Sequence, residues 1–126
     1  MIDVELRLFL LSRPGVSDLV SSRIYPALLP EDEVLPAIVL LQLSDTPSYS
    51  NSGICHTRPR YQVDSYAGTL SMARQVDENV RAILSGFTGK MGQYRATVFL
   101  ANTSNYRLND EEFWRVSSDY LIHLIG

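Results

Sequence analysis

The sequence contains a single cysteine, Cys55, among its 126 residues. One cysteine cannot form an internal disulfide or a four-cysteine zinc site, and it fits synthesis in a reducing compartment. No run of 18 apolar residues is present, which argues against a membrane-spanning helix. Asp3 and Glu5 stand where a secretory signal carries basic residues, so no secretory signal is expected.

Lysine is nearly absent, since Lys90 is the one lysine among 11 basic residues. With 14 acids the formal net charge is −3, which gives no bulk electrostatic reason to hold DNA or an anionic membrane. Arginine is suited to bidentate pairing and is enriched at protein interfaces. The arginine excess therefore fits a protein with partner contacts, although the base composition of a genome can produce the same excess.

Catalytic motifs are also missing, because the sequence has neither a G-x-S-x-G elbow nor an H-E-x-x-H pair. The glycines of segment 86–92 follow a predicted helix instead of opening one, the reverse of a phosphate-binding loop. Cys55 and His56 are neighbours, and adjacent residues of an extended chain point apart. We therefore expect no enzyme activity, no cofactor and no metal site.

The run Asp110-Glu111-Glu112 is the remaining candidate for chemistry, since carboxylates can bind metal ions or act as general acids. Three acids before a strand are more typical of a solvated turn. A small metal-dependent hydrolase that uses this run and a histidine stays a third hypothesis, which a metal titration would test.

Hydrophobic periodicity predicts an order of elements. In chain order these are a helix capped by Asp3, a short helical turn at 16–22, strands at 36–43 and 58–66, a helix at 70–84, and strands at 94–100 and 113–125. The order predicts one α+β domain over residues 1–126, with two layers. We expect a mainly antiparallel four-stranded sheet with the helices packed on one face.

The apolar positions predict which faces are buried. The first helix has a wide apolar face that includes Val4 and Leu8, and the helix at 70–84 has a solvated face. That solvated face comprises Arg74, Asp77, Glu78 and Arg81. The last strand carries Trp114, Val116, Tyr120, Ile122 and Leu124 on one face, interrupted by Ser118, with His123 on the other.

Two polar segments interrupt this pattern. Residues 45–57, rich in Ser, Asn and Gly, predict a long loop or a flexible hairpin. We expect this segment to be mobile in the free protein and to order on assembly. Residues 85–92 predict a glycine-rich turn, and residues 101–112 a polar connection.

Five short segments form an ordered set: RIYP at 23–26, LPAIV at 35–39, RYQVDSYA at 60–67, LSGFTG at 84–89 and FWRVSSDY at 113–120. Their order and spacing resemble the siphophage tail-completion family, the tail-terminator or tail-to-head joining proteins. The resemblance covers about Arg23 to Ile122. It departs at residues 51–59, where Pro59 cannot donate to a strand ladder.

The resemblance implies a virion structural protein without catalytic residues, made in the cytoplasm of the host bacterium. Such a protein forms a ring, usually hexameric, at the head-proximal end of the tail tube. It ends tube polymerisation and offers a docking surface to the head-side connector. The implied partners are copies of the chain itself, the major tail tube protein and a head-completion protein, while DNA passes through the lumen without specific binding and no membrane is involved.

Four residues are the candidate contacts with neighbouring copies or partners. Tyr49 lies in a polar segment and has no evident core role, and Tyr is enriched at interfaces. Arg58 and Arg60 open a strand beside that segment, where a neighbour could supply carboxylates for bidentate pairing. Arg107 completes the set. Solvated arginines at a strand end are the alternative interpretation of Arg58 and Arg60.

A second hypothesis for function is a small, non-enzymatic immunity or regulatory module that binds one protein partner. Sedimentation at several concentrations separates the two, because a ring-former should assemble or require its tube.

The helix at 70–84 generates a direct test of the predicted packing. Val80→Asp should lower the free energy of unfolding by several kcal/mol, because it buries a charge without a partner. Arg74→Ala, on the solvated face, should change it by no more than about 0.5 kcal/mol. Denaturant melts of both variants measure this. A mild effect of Val80→Asp would mean that the helix face is placed wrongly.

Overall fold

The computed structural model describes residues 2–31, 33–45, 48–49, 55–107 and 113–125. The predicted α+β class is confirmed. The helices are α1 (Asp3–Leu11), α2 (Pro14–Val20) and α3 (Leu70–Leu84). The strands are β1 (Ile24–Pro26), β2 (Ala37–Ser44), β3 (Ser48–Tyr49), β4 (Cys55–Thr57), β5 (Arg60–Ala67), β6 (Thr88–Met91), β7 (Tyr94–Arg107) and β8 (Trp114–Ile125).

All the strands in the described ranges belong to one sheet. From one edge the order is β1, β2, β5, β8, β7 and β6, with β1 parallel to β2 and the other pairs antiparallel. β4 and β5 pair with β8 in one continuous register, in which His56 faces Ile125 and Arg60 faces Leu121. They therefore form one strand position, interrupted around Pro59. β3 likewise occupies the same strand position as β2, because Ser44 faces Arg60 and Ser48 faces His56 in one register.

The sheet therefore has six strand positions, and the predicted four are too few. β1 and β6 are edge strands of three and four residues, too short to show alternation in the sequence. β6 occupies part of the segment predicted to be a glycine-rich turn. β7 continues to Arg107 instead of ending at residue 100, because its polar second half pairs with β8 over residues 114–119.

The polar segment 45–57 contains a short hairpin, since Ser48 and Tyr49 pair with His56 and Cys55. This agrees with the hairpin alternative of the sequence prediction. Residues 46–47 and 50–54 lie outside the described residues, as do residues 108–112 of the other polar segment. Ordering of 45–57 on assembly stays a prediction.

Helix α1 differs from its prediction in two ways. Asp3 does not cap it, because Ile2 occupies the N-cap position and the Asp3 carboxylate accepts a hydrogen bond from the Tyr61 hydroxyl of β5. Its buried residues are Leu6, Phe9 and Leu10. Val4 and Leu8, which were expected to be buried, are largely exposed. The sheet covers the side of α1 that carries its buried residues, whereas the neighbouring stripe with Val4 and Leu8 faces outward.

Helix α3 matches its predicted bounds, and the hydroxyl of Thr69 accepts from the amide of Met72 as an N-cap. Gly86, at φ 78°, follows its end, a backbone conformation that glycine adopts without steric cost. The predicted solvated face is wrong for Asp77, which is 2% exposed. Asp77 lies at the border of the apolar stripe and faces Ser118 of β8, whose hydroxyl donates to its carboxylate.

The core lies between the helices and one side of the sheet, which we call the inner face. Side chains from all three helices join one cluster with strand residues. The strand members include Ile38, Leu40, Tyr61, Val63, Ala96, Val98, Tyr120, Ile122 and Leu124. The prediction that the helices pack on one face is therefore confirmed, as is the buried face predicted for the last strand.

Helix α1 offers a matched pair for testing its orientation. Leu10 is completely buried and Leu8 is 57% exposed. Leu10→Ala should lower the free energy of unfolding by about 2–5 kcal/mol, because it removes core contacts and leaves a cavity. Leu8→Ala should cost less than about 0.5 kcal/mol. Urea unfolding of both variants measures the difference, and equal losses would contradict the observed orientation of α1.

Candidate assembly surface

The opposite side of the sheet, which we call the outer face, carries polar and charged residues. Alternation along β5 places Gln62 and Asp64 there, because Tyr61 and Val63 point into the core. On β8 the same alternation gives Arg115, Ser117, Asp119, Leu121, His123 and Ile125. The described helices pack on the inner face and leave the outer face uncovered by them.

A buried carboxylate lies in the middle of the outer face. Asp64 is 3% exposed and accepts hydrogen bonds from the hydroxyl of Ser117 and from Nε2 of Gln62, the latter at 2.8 Å. The guanidinium of Arg115 lies 3.7 Å from its carboxylate and also donates to the hydroxyl of Tyr66 at 3.4 Å. This network holds the strands of the outer face in a fixed arrangement.

Burial raises the pKa of Asp64 above its ordinary value, because the low-dielectric surroundings disfavour the ionised carboxylate. The hydrogen bonds from Ser117 and Gln62 and the charge of Arg115 act in the opposite direction and do not cancel the effect of burial. The ionised form of Asp64 therefore lowers the stability of the folded protein, even with its hydrogen-bond partners in place.

Arg60, one of the predicted contact residues, lies beside this network. Its guanidinium forms a salt bridge of 3.1 Å with Asp119. Both side chains are partly exposed, and such pairs contribute only about 0.2–1 kcal/mol. Because the bond is weak, a carboxylate from a neighbouring protein could compete for Arg60.

A basic group occupies the end of the outer face near β6. Lys90 faces Arg95 across the β6–β7 pair, where both are exposed. The exposed Arg58 lies on the other side of β8, between β4 and β5. The ring of Phe99 makes an edge-to-face contact with His123 at 5.4 Å between centroids. The salt bridges of the described residues involve none of Arg58, Lys90 and Arg95. These side chains combine uncompensated positive charge with an exposed aromatic ring.

The four predicted contact residues are not all brought together. Arg58 and Arg60 lie close on the outer face, and Tyr49 is in the hairpin strand that pairs with Cys55. Arg107 is the last residue of β7 and pairs with Trp114 at the start of β8, at the other end of the sheet. The side chains of Tyr49 and Arg107 are not among those described.

The sequence prediction missed Lys90, Arg95 and Phe99 as surface candidates. Alternation along 94–100 was a usable signal for Arg95 and Phe99, because it separates them from the buried Ala96 and Val98. Lys90 could not be placed from the sequence, because β6 has four residues and is too short to show alternation.

A second polar cluster lies between α3 and the inner face. Arg81 donates to the Asp77 carboxylate at 3.0 Å and to the Thr103 hydroxyl at 2.9 Å, and Thr103 is 3.0 Å from Ser118. An open cleft of about 340 Å³ adjoins them, lined also by Arg74, Glu78 and Val116. The Arg81 guanidinium and the Thr103 and Ser118 hydroxyls are thus linked in one network, although Nε of Arg81 is buried without a hydrogen-bond partner among the described residues. These contacts join α3 to the sheet, which is the chemistry of a structural anchor.

Metal binding and membrane insertion find no support in the described ranges. Those ranges contain no group of three or more His, Cys, Asp or Glu residues able to hold a metal ion. Residues 110–112, the acidic run considered above, lie outside them. None of the helices described is both long and apolar enough to cross a membrane.

The raised pKa of Asp64 predicts how stability depends on pH. The folded protein binds a proton more tightly than the unfolded chain, so the free energy of unfolding falls as pH rises from the ordinary value of 3.8 through the raised one. Asp64→Asn removes this titration. Urea unfolding from acidic to neutral pH should show the wild type losing stability relative to Asp64→Asn.

Asp18→Asn is the control, because this carboxylate is exposed on α2 and its loss should change the free energy of unfolding by no more than about 0.5 kcal/mol. Parallel pH profiles for the wild type and Asp64→Asn would contradict the assigned effect of burial.

Comparisons with known proteins agree with this architecture. No curated protein matches the sequence. Among solved structures, the fold is similar to a chain of the virion of a native gene transfer agent (GTA) particle, with a TM-score of 0.82 and 12% sequence identity. The match covers 99% of this chain and 95% of that chain, and at this identity it shows the fold.

The family described as Tail completion protein gp17 matches residues 4–124. This span includes every helix and strand except the first residue of α1 and the last residue of β8. Membership supports a structural role in the virion tail and suggests that the protein acts without catalysis. The sequence resemblance to tail-completion proteins is thereby confirmed, and the chain belongs to the tail completion protein gp17 family.

Proposed function

We propose that this protein caps the head-proximal end of a phage tail tube, ends tube polymerisation and joins the tail to the head connector. The observation that carries the proposal is the outer face, together with the family match. A sheet side that the described helices leave uncovered, with exposed arginines and an exposed aromatic ring, carries residue types that are enriched at protein–protein interfaces.

The proposed assembly is a hexameric ring of single-domain subunits. A ring requires a heterologous contact, in which one patch of a subunit meets a different patch of the next subunit. The outer face and the helix layer are two such different surfaces. Arg58, Arg60, Tyr49 and Arg107 are the proposed contact residues, and the exposed Arg58 is the best placed of them.

The proposed partners are the major tail tube protein on one side of the ring and a head-completion protein on the other. DNA would pass through the lumen without being specifically bound. A net charge of −3 fits this passage, because an excess of acids limits adhesion to the phosphate backbone.

Deletion of the gene from its phage tests the proposal. Tails lacking the protein should be wrong in length or unable to join heads, as seen by electron microscopy. Complementation with Arg58→Glu plus Arg60→Glu should fail, because a like-charge contact at an interface can cost several kcal/mol. Arg74→Glu, which reverses an exposed arginine of α3, should complement normally.

Melting curves of the purified variants show whether they fold. Normal virions from the deletion strain would overturn the proposed function. Normal virions from the double variant would remove only Arg58 and Arg60 from the contact surface.

A further inference from the structure

The described charges are divided unevenly between the two sides of the molecule. The outer face carries five cations and two carboxylates: Arg58, Arg60, Lys90, Arg95 and Arg115 against Asp64 and Asp119. The remaining described residues comprise six cations and eight carboxylates. The outer face is therefore positive by three charges and the rest of the described chain negative by two.

The positive side also has exposed apolar groups. Phe99 is 49% exposed and Ile125 is 45% exposed, both on the outer face. Ile125 faces Arg95 in the β7–β8 pair, and Phe99 faces Leu121. The apolar groups therefore lie within the basic end of the sheet, and a partner with an apolar centre and acidic flanks would match them.

Helix α1 presents exposed apolar residues, with the acids Asp3 and Glu5 in its first turn. Val4 and Leu8 are one turn apart and expose more than half of their surface. Glu5 lies beside them in the first turn, and its side chain reaches the turn at Gly92. Arg7 is directed away, because it donates to the backbone carbonyls of Ile24 and Ser22. We call Val4 and Leu8 the α1 stripe.

We infer that a second copy of this chain occupies the basic end of the outer face, with its α1 stripe packed on Phe99 and Ile125. The opposite charges of the two sides favour this head-to-tail contact. Two outer faces brought together would place like charges opposite each other, which disfavours a two-fold pairing through that face. The inference rests on the proposed ring, and it names the surfaces that close it.

Two matched variants separate a head-to-tail contact from other arrangements. Leu8→Arg disables the α1 stripe and leaves the outer face intact. Phe99→Arg disables the outer face and leaves the α1 stripe intact. Both sites are about half exposed, so both variants should melt close to the wild type. Met72→Arg, at an exposed apolar residue of α3, is the control and should assemble like the wild type.

Sedimentation velocity of the full chain is the measurement. The wild type should self-associate, less so as NaCl rises from about 0.05 to about 0.5 M, because salt screens the charged surfaces. Leu8→Arg alone and Phe99→Arg alone should each associate at least about tenfold more weakly, since a charge replaces an apolar group that is buried in the contact. An equimolar mixture of Leu8→Arg and Phe99→Arg should form heterodimers and nothing larger, because each dimer retains one intact contact and two disabled ends.

Three results would overturn the inference. They are a wild type that stays monomeric up to about 1 mM, a mixture of the two variants without heterodimers, and wild-type assembly by either variant. If Phe99→Arg assembles normally, the contact between copies does not use the basic end of the outer face. The solution assay reads the contact between copies alone, whereas the deletion strain reads the role in the tail. If the variants contradict the contact between copies but the deletion strain has defective tails, the inference fails and the proposed function stands.

Discussion

Strand β8 is bonded along its length on both sides, and the rest of the structure depends on this double pairing. β5 and β4 lie on one side and β7 on the other. Alternate residues of a central strand point to opposite faces of the sheet, so its sequence must suit both the core and the outer face. Its inner residues Tyr120, Ile122 and Leu124 enter the core, and its outer residues form the charged face.

The adjacent serines of β8 show the consequence of this constraint. Ser117 points outward and donates to the buried Asp64, while Ser118 points inward and donates to the buried Asp77. Arg115 lies near the first carboxylate and Arg81 pairs with the second. An unpaired buried carboxylate would cost several kcal/mol, so the serines and arginines permit acids on both sides of one strand. The two networks fix β8 against β5 and against α3.

The helices of the described residues cover only one side of the sheet, which gives this part of the molecule two unlike surfaces. Among the described residues, the outer face carries an excess of cations with exposed aromatic and aliphatic groups, and the rest carries an excess of carboxylates with an exposed stripe on α1. A tail protein that assembles in a fixed direction needs such polarity, because identical faces produce closed two-fold pairs. The family match and the surface chemistry therefore point to the same structural role.

The sequence alone determined the features that depend on local periodicity: the bounds of α3 and its Thr69 cap, and the alternation that separates Tyr120 from His123 in β8. It also indicated Arg58 as a surface residue. Tertiary structure decided the rest, because two adjacent apolar stripes on α1 look equivalent until the sheet covers one of them. Asp3 and Asp77 found partners in β5 and β8, more than 40 residues away, which no local pattern encodes.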